Sequence, residues 1–402
     1  MRRIQDLAIL GAPPLFPEPL HVGRPNLPDR DRLLARIGEV LDRRWLTNDG
    51  PCVRELEERV SAFLDVRHCV AMCNGTVALE IAIRAAGLSG EVIVPSLTFV
   101  ATAHALQWQQ ITPVFCDVDP RTHNLDVARV EELITPRTTG IIGVHLWGRP
   151  CDVEGLERVA RRRDLVVLYD AAHAFGCSHR GRMIGSFGHG EVLSFHATKV
   201  FNTLEGGALV TNDDALAGRA RLMRNFGFEG YDAVGYIGTN GKMNEISAAT
   251  GLAGLECLDD FVAANRRNHE RYRRGLAGVP GITVLRYDDA ERCNYQYVVS
   301  EVEERLTGIG RDRLVEVLWA ENVMARRYFY PGCHAMEPYR SFFPHARLLL
   351  PETERLAARL MTLPTGTAVD EATVDRVCEL VRFVVANGAE VERAMARARA
   401  RA

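Results

Sequence analysis

Ser194-Phe195-His196-Ala197-Thr198-Lys199-Val200-Phe201-Asn202-Thr203-Leu204-Glu205-Gly206-Gly207 is the stretch on which the reading of this chain turns. A short apolar strand, Val192–Phe195, runs out into a Ser/Thr-rich aromatic segment that carries one lysine. A Glu-Gly-Gly turn then leads into a second apolar run, Ala208–Val210. Lysine is normally solvated, and taken alone Lys199 could be an exposed loop residue. At the bottom of a prepared pocket a lysine does different chemistry, because its amine can form a Schiff base with an aldehyde.

The sequence upstream favours the pocket. Leu165-Val166-Val167-Leu168-Tyr169-Asp170 is an apolar run that ends on a carboxylate. It predicts a buried parallel strand with Asp170 at its carboxyl end. Ligands of open α/β sheets bind outside that end of the strands. A carboxylate and a lysine so placed suit pyridoxal phosphate (PLP): the acid keeps the pyridine nitrogen protonated and the lysine holds the aldehyde as an imine. Alone, Asp170 could equally be the N-cap of a following helix. A third element, Val70-Ala71-Met72-Cys73-Asn74-Gly75-Thr76-Val77-Ala78-Leu79-Glu80, reads as a strand, a tight turn and an Ala-rich helix. Backbone N–H groups at such a helix start bind phosphate, and Thr76 adds a hydroxyl. A plain strand-turn-helix would look the same.

Composition fits a soluble, cytoplasmic enzyme. The 402 residues are 47% hydrophobic and 25% charged, with a formal net charge of −3. That length predicts about two domains. The near-neutral balance gives no reason to expect nucleic-acid or membrane binding, and no apolar stretch is long enough to span a bilayer. The N-terminus lacks the features of a signal peptide. The 10 cysteines are scattered without a Cys-x-x-Cys, and read as buried thiols in a reducing compartment. His173, His179, His189 and His196 lack ligand spacing, so no metal site is expected.

Three parts are expected: an N-terminal arm (1–50), Pro-rich, with a helical stretch near Arg32–Leu41; a large domain (51–260); and a smaller C-terminal domain (261–402). In the large domain the apolar runs Val70–Met72, Val92–Val94, Val114–Cys116, Gly140–His145, Val166–Tyr169, Val192–Phe195 and Ala208–Val210 predict strands. Helical patterns such as Val53–Leu64, Val77–Ala86, Ala101–Gln107 and Val153–Arg163 lie between them. The alternation predicts an α/β fold, a mostly parallel sheet covered by helices. Asn244–Leu258 and Val262–Leu276 predict a helical bridge. Beyond it Ile282–Leu285 and Tyr295–Val299 predict strands, Arg311–Ala320 and Val369–Ala386 helices, and Val391–Ala402 a frayed helix, in an α+β unit.

In this order and spacing, the motifs resemble the DegT/DnrJ/EryC1/StrS aminotransferases, PLP enzymes of aspartate-aminotransferase fold type I. The resemblance runs over nearly the whole chain. It is carried by Trp45-Leu46-Thr47-Asn48-Asp49-Gly50-Pro51, Cys73-Asn74-Gly75-Thr76, Val94-Pro95-Ser96-Leu97-Thr98-Phe99-Val100-Ala101-Thr102-Ala103, Asp170-Ala171-Ala172-His173, Ser194–Lys199, Glu205-Gly206-Gly207 and Gly238-Thr239-Asn240-Gly241-Lys242-Met243-Asn244-Glu245.

The resemblance implies roles. Lys199 would be the Schiff-base lysine and proton shuttle, and Asp170 would pair with the pyridinium nitrogen. His173, where many relatives have Gln, would approach the ring hydroxyl. Phe99 would stack on the ring, though it could be a core aromatic. Gly75, Thr76 and Ser194 would hold the phosphate. Asn240 would reach the cofactor of a neighbouring subunit in a homodimer, though beside Gly241 it could be a turn residue. Thr47, Asn48, His196, Tyr330 and His334 are the substrate candidates; the segment Arg327–His334 could equally be a packed loop. The partners implied are L-glutamate and a dTDP-linked keto-sugar. The run around Lys199 looks more like enzymes that aminate C4 of dTDP-4-keto-6-deoxyglucose, giving dTDP-4-amino-4,6-dideoxyglucose, than like the C3-aminating branch, which remains the alternative. A PLP-type sugar dehydratase usually has His in place of the lysine, and a non-catalytic homologue gains nothing from an intact Lys199 and Asp170.

Overall fold

The computed structural model describes residues 3–400. All seven apolar runs of the large unit are strands: β1 His68–Met72, β2 Glu91–Pro95, β3 Thr112–Cys116, β4 Thr138–Val144, β5 Val166–Asp170, β6 Gly190–Ser194 and β7 Gly207–Thr211. They form one sheet in the order β1-β7-β6-β5-β4-β2-β3. β7 is antiparallel to both its neighbours, and the other pairings are parallel. The expected architecture, a mostly parallel sheet between helices, is the one found.

Both faces of this sheet are covered, which is why its strands read as unbroken apolar runs. Ile93, Ile141, Val167 and Leu193 join the core under helices Pro51–Leu64, Val153–Arg163 and Glu245–Glu256. Their chain neighbours Val92, Ile142, Leu168 and Val192 point the other way, beneath helices Gly75–Ala85, Ala101–Gln107 and Asp214–Met223. The last of these helices, together with Pro351–Arg359, was not expected from the sequence.

The bridge is two helices, Glu245–Glu256 and Leu258–Gly275. Beyond it a three-stranded antiparallel sheet, β8 Ile282–Val284, β9 Val298–Val302 and β10 Leu360–Leu363, packs with helices Arg311–Ala320 and Glu371–Ala386. The strand expected at Tyr295–Val299 begins three residues later. Tyr295 sits at φ 49°, and the Asn294 carboxamide donates to the main-chain oxygens of His173 (2.8 Å) and Phe175 (3.0 Å). Asn294 and Gln296 therefore brace the turns after β5 and β6 rather than the ladder. Helix Gly388–Arg399 accounts for the Arg/Ala-rich tail, whose last two residues lie outside the described range.

The first residues pack on this same chain. Ile4, Leu7 and Phe16 enter the apolar core of the C-terminal unit, and Leu20–His21 pairs in parallel with Val323–Met324. The helix near residue 32 spans Arg30–Arg43, capped by the Asp29 carboxylate, which accepts from Arg32 N at 2.9 Å. Glu321, fully buried, accepts from Ala8 N at 3.0 Å and Leu15 N at 2.7 Å. Removing that acceptor strands two backbone donors. Glu321→Ala should cost about 2 kcal/mol in urea unfolding and make the arm more sensitive to limited proteolysis; an unchanged midpoint would refute this.

Candidate active site

The carboxyl ends of β1, β5 and β6 and the start of the antiparallel β7 meet at one edge of the large sheet. There a cleft of about 410 Å³ is lined by Gly75, Thr76, Phe99, Asp170, His173, Ser194, His196 and Lys199, eight of the residues singled out from the sequence. The contributing segments are far apart in the chain. Strand order, rather than local sequence, brings them together.

Lys199 lies on a turn just past β6, closed by its own N–H donating to His196 O at 2.9 Å. The turn returns to the ladder through Phe195 N to Gly206 O (2.8 Å) and Thr203 N to Phe195 O (2.9 Å). Phe195 and Phe201 are buried under it against Phe175. Burial pushes the Lys199 amine down to about 8, while the charge of Asp170 works to keep it protonated. Such an amine is a usable nucleophile and base near neutral pH.

Asp170 ends β5 and is 8% exposed. Thr102 Oγ1 donates to its Oδ2 at 2.8 Å and Ala172 N to its Oδ1 at 3.1 Å. Thr98 Oγ1 lies 3.1 Å from Thr102 Oγ1 and extends the chain of hydroxyls. The carboxylate is thus aimed by neutral donors. His173 is buried, and burial, followed by the charge of Lys199, holds its imidazole well below its ordinary range. Trp147 N donates to its Nδ1 at 3.3 Å, so a neutral ring carries its proton on Nε2.

Helix Gly75–Ala85 starts at the cleft, with the Asn74 carboxamide accepting from Val77 N at 2.8 Å. The capping leaves the N–H groups of Gly75 and Thr76 free for a ligand. A methyl group on Gly75 would come within 3.1 Å of Ser194 Cβ and 3.3 Å of its Oγ, so glycine here leaves a cradle between helix start and serine. Phe99 is 56% exposed at the cleft wall, with the Phe329 ring centroid 6.4 Å away. It is not a core aromatic; its face is open to whatever occupies the cleft. His196 Nδ1 is 2.8 Å from Thr198 Oγ1, and its Nε2 is 3.5 Å from Glu205 Oε1.

Other expected residues lie elsewhere. Thr47 and Asn48 are on an exposed turn outside the cleft lining. Asn240 is exposed too, bridged to Asn225. Tyr330 lines an adjoining cleft with Trp319, Arg326 and Arg327. His334 is 2% exposed, with Nδ1 at 2.7 Å from Ser96 Oγ and Nε2 at 2.9 Å from Glu354 Oε1. Both its nitrogens are engaged, so it braces a loop and has none free for a ligand. Sequence reasoning missed Thr102, Tyr297 and Arg326, and reached Tyr328 and Phe329 only as part of the segment Arg327–His334. Of the three missed, only Thr102 carried a local signal, a hydroxyl soon after Thr98 and in the first turn of helix Ala101–Gln107.

β7 can approach the helix start only because residue 207 has no side chain. A Cβ there would sit 2.5 Å from Gly75 N and 2.6 Å from Gly75 Cα, both rigid backbone. Gly207→Ala should destabilise the fold by about 3 kcal/mol, read as a lower midpoint in thermal unfolding, and should displace the helix start from Ser194.

Residues 29–382 match the DegT/DnrJ/EryC1/StrS aminotransferase family. The chain is 36% identical over 367 residues to the dTDP-4-amino-4,6-dideoxy-D-glucose transaminase of Shigella dysenteriae, covering 91% of this chain and 99% of that protein. It is 38% identical over 365 residues to the GDP-perosamine synthase of Caulobacter vibrioides, covering 89% of this chain and 96% of the other. Among solved structures, DesI in the presence of its TDP-sugar product superimposes with a TM-score of 0.94 at 51% identity, over 97% of this chain and 99% of that one. The chain belongs to the DegT/DnrJ/EryC1/StrS aminotransferase family.

Proposed function

We propose that this protein uses PLP to move an amino group from L-glutamate to C4 of dTDP-4-keto-6-deoxyglucose, forming dTDP-4-amino-4,6-dideoxyglucose. The observation that carries the chemistry is the single cleft shared by Lys199, Asp170 and the Gly75–Ser194 cradle. The residues fit the cofactor: an anion cradle at a helix start, a carboxylate aimed by hydroxyls, an open aromatic face and a desolvated amine. The sugar is supported by the 51% identity to DesI, named with a TDP-sugar product, and by the transaminase from Shigella dysenteriae.

When bound, PLP supplies an aldehyde and a ring that stores the electron pair released at the substrate carbon. The chain's own residues do the rest. Thr76, Ser194 and the N–H groups of Gly75 and Thr76 hold the phosphate. Asp170 would accept from the ring N–H, with Thr102 keeping that carboxylate in register. His173 offers its Nε2–H to the ring hydroxyl, the role a neutral donor can fill. Phe99 covers one face. Lys199 would hold the cofactor's aldehyde, and its Nζ, when neutral, would serve as the base that accepts and returns the substrate's proton. Arg326, with its guanidinium 5.3 Å from the Tyr328 ring centroid, borders both clefts and is suited to the sugar's diphosphate.

The active unit in this reading is a homodimer. Residues 226–240 expose Phe226, Phe228, Tyr231, Val234 and Ile237, an apolar run that a second copy would cover, and Asn240 ends it. The ten free thiols, mostly buried, support a reducing cytoplasmic setting.

The function is tested by incubating the protein with PLP, L-glutamate and the dTDP 4-keto sugar. Release of 2-oxoglutarate and an NMR assignment of nitrogen at C4 are expected. Turnover only with a 3-keto isomer or a GDP-linked sugar would overturn the substrate and keep the chemistry. A second measurement concerns the lysine. The rate at which cofactor-free protein captures PLP depends on neutral Nζ, so it should rise with pH and level off above about 8. Asp170 holds the proton on, so Asp170→Asn should move that break to lower pH. A break in the ordinary lysine range would refute the desolvated site.

A further inference from the structure

We propose that Asn26 is a positioning residue for Lys199. The inference rests on Lys199 being the Schiff-base lysine. The residue after it, Val200, is 1% exposed and belongs to no strand or helix, so its backbone groups have no ladder partners. Two side-chain amides take that place. Gln296 Oε1 accepts from Val200 N at 3.1 Å, and Asn26 Nδ2 donates to Val200 O at 3.2 Å. Val200, the residue that follows the lysine, is therefore held at both its N–H and its carbonyl.

Asn26 is 4% exposed, and both the nitrogen and the oxygen of its carboxamide are engaged. Its Oδ1 accepts from Thr367 N and Thr367 Oγ1, both at 3.0 Å, and its main-chain oxygen accepts from Asn202 Nδ2 at 2.9 Å. The neighbouring Gly366 oxygen is fixed by Asn268 Nδ2 at 3.1 Å. The arm itself lies against the lysine turn: a Cβ on Gly23, at φ +75°, would come within 2.9 Å of Thr198 Cβ. One carboxamide thus ties the lysine turn to the N-terminal arm and to the loop around Gly366.

A freed Val200 carbonyl would let the turn rotate and swing the amine away from Asp170. Small misplacements of a reacting group cost rate steeply. Asn26→Ala removes the donor and the acceptor. Asn26→Asp keeps the shape and the acceptor but cannot donate to Val200 O, and it serves as the test if the alanine variant does not fold. The experiment mixes cofactor-free protein with PLP, follows Schiff-base absorbance against time and pH, and locates the modified residue by borohydride trapping and peptide mapping. Val374→Ala, in the buried C-terminal core, controls for lost stability at a matched fall in melting temperature.

Both Asn26 variants should capture PLP roughly tenfold more slowly or worse, with the pH break moved up toward that of a hydrated lysine, while Val374→Ala leaves rate and break as in the wild type. Wild-type rate and break in the Asn26 variants, with only a lower melting temperature, would overturn the proposal and leave Asn26 as an anchor of the arm. Failure of the wild-type protein to trap PLP at Lys199 would instead overturn the functional reading on which it rests.

Discussion

Keeping a lysine amine out of water on an irregular turn is the constraint around which this structure is organised. A cation in a water-poor cleft is costly, and the fold meets that cost by letting the amine shed its proton near pH 8 instead of pairing it tightly. A close ion pair with Asp170 would fix the charge and spoil the base. The carboxylate is instead held back by Thr102 Oγ1 and Ala172 N, close enough to be felt by the amine but bonded to neutral groups. The turn needs equal care, because buried backbone outside a ladder must find partners. Its hydrogen bonds run to Gly206, Phe195, Gln296 and Asn26, and the last two come from the C-terminal unit and the N-terminal arm.

That dependence explains why the chain's two ends fold into one unit. The arm adds Ile4, Leu7 and Phe16 to the same core as helices Arg311–Ala320 and Glu371–Ala386. It then runs past the lysine turn before the helix Arg30–Arg43. The C-terminal unit therefore braces the active cleft through the arm as well as through Tyr297, Arg326 and Phe329, which line it directly.

What the sequence made legible follows from periodicity and chemistry. Strands buried on both faces are continuous apolar runs, so β1 to β7 stood out; Asp170 and Ser194 stood out because each closes such a run. Phe99 was legible as an aromatic, but its open face was not, since exposure is a tertiary fact. Asn26 and Thr367 are ordinary polar residues between prolines and glycines, and nothing local shows that they meet across most of the chain. His334 misled for the same reason: it sits in an aromatic, hydrogen-bonding stretch, yet both its nitrogens are already engaged, by Ser96 and Glu354. Tyr295–Val299 alternates like a strand, but the side chain of Asn294 anchors its start to the turn after β5.

The histidine at 173 follows from the same electrostatics. Its side chain shares the cleft with Lys199, whose charge disfavours a second cation on the ring. Burial acts on both, but lysine starts with far the higher proton affinity. The proton therefore stays with Lys199 until about pH 8, and the imidazole is neutral throughout the range in which the amine titrates. A neutral imidazole with Nδ1 occupied by Trp147 N presents an N–H donor and no free acceptor, as a carboxamide does when its oxygen is engaged. That equivalence gives a physical reason why a histidine here can do what a glutamine carboxamide would do. It holds only while Trp147 N keeps the ring in one tautomer and the cleft stays dry enough to keep the ring uncharged.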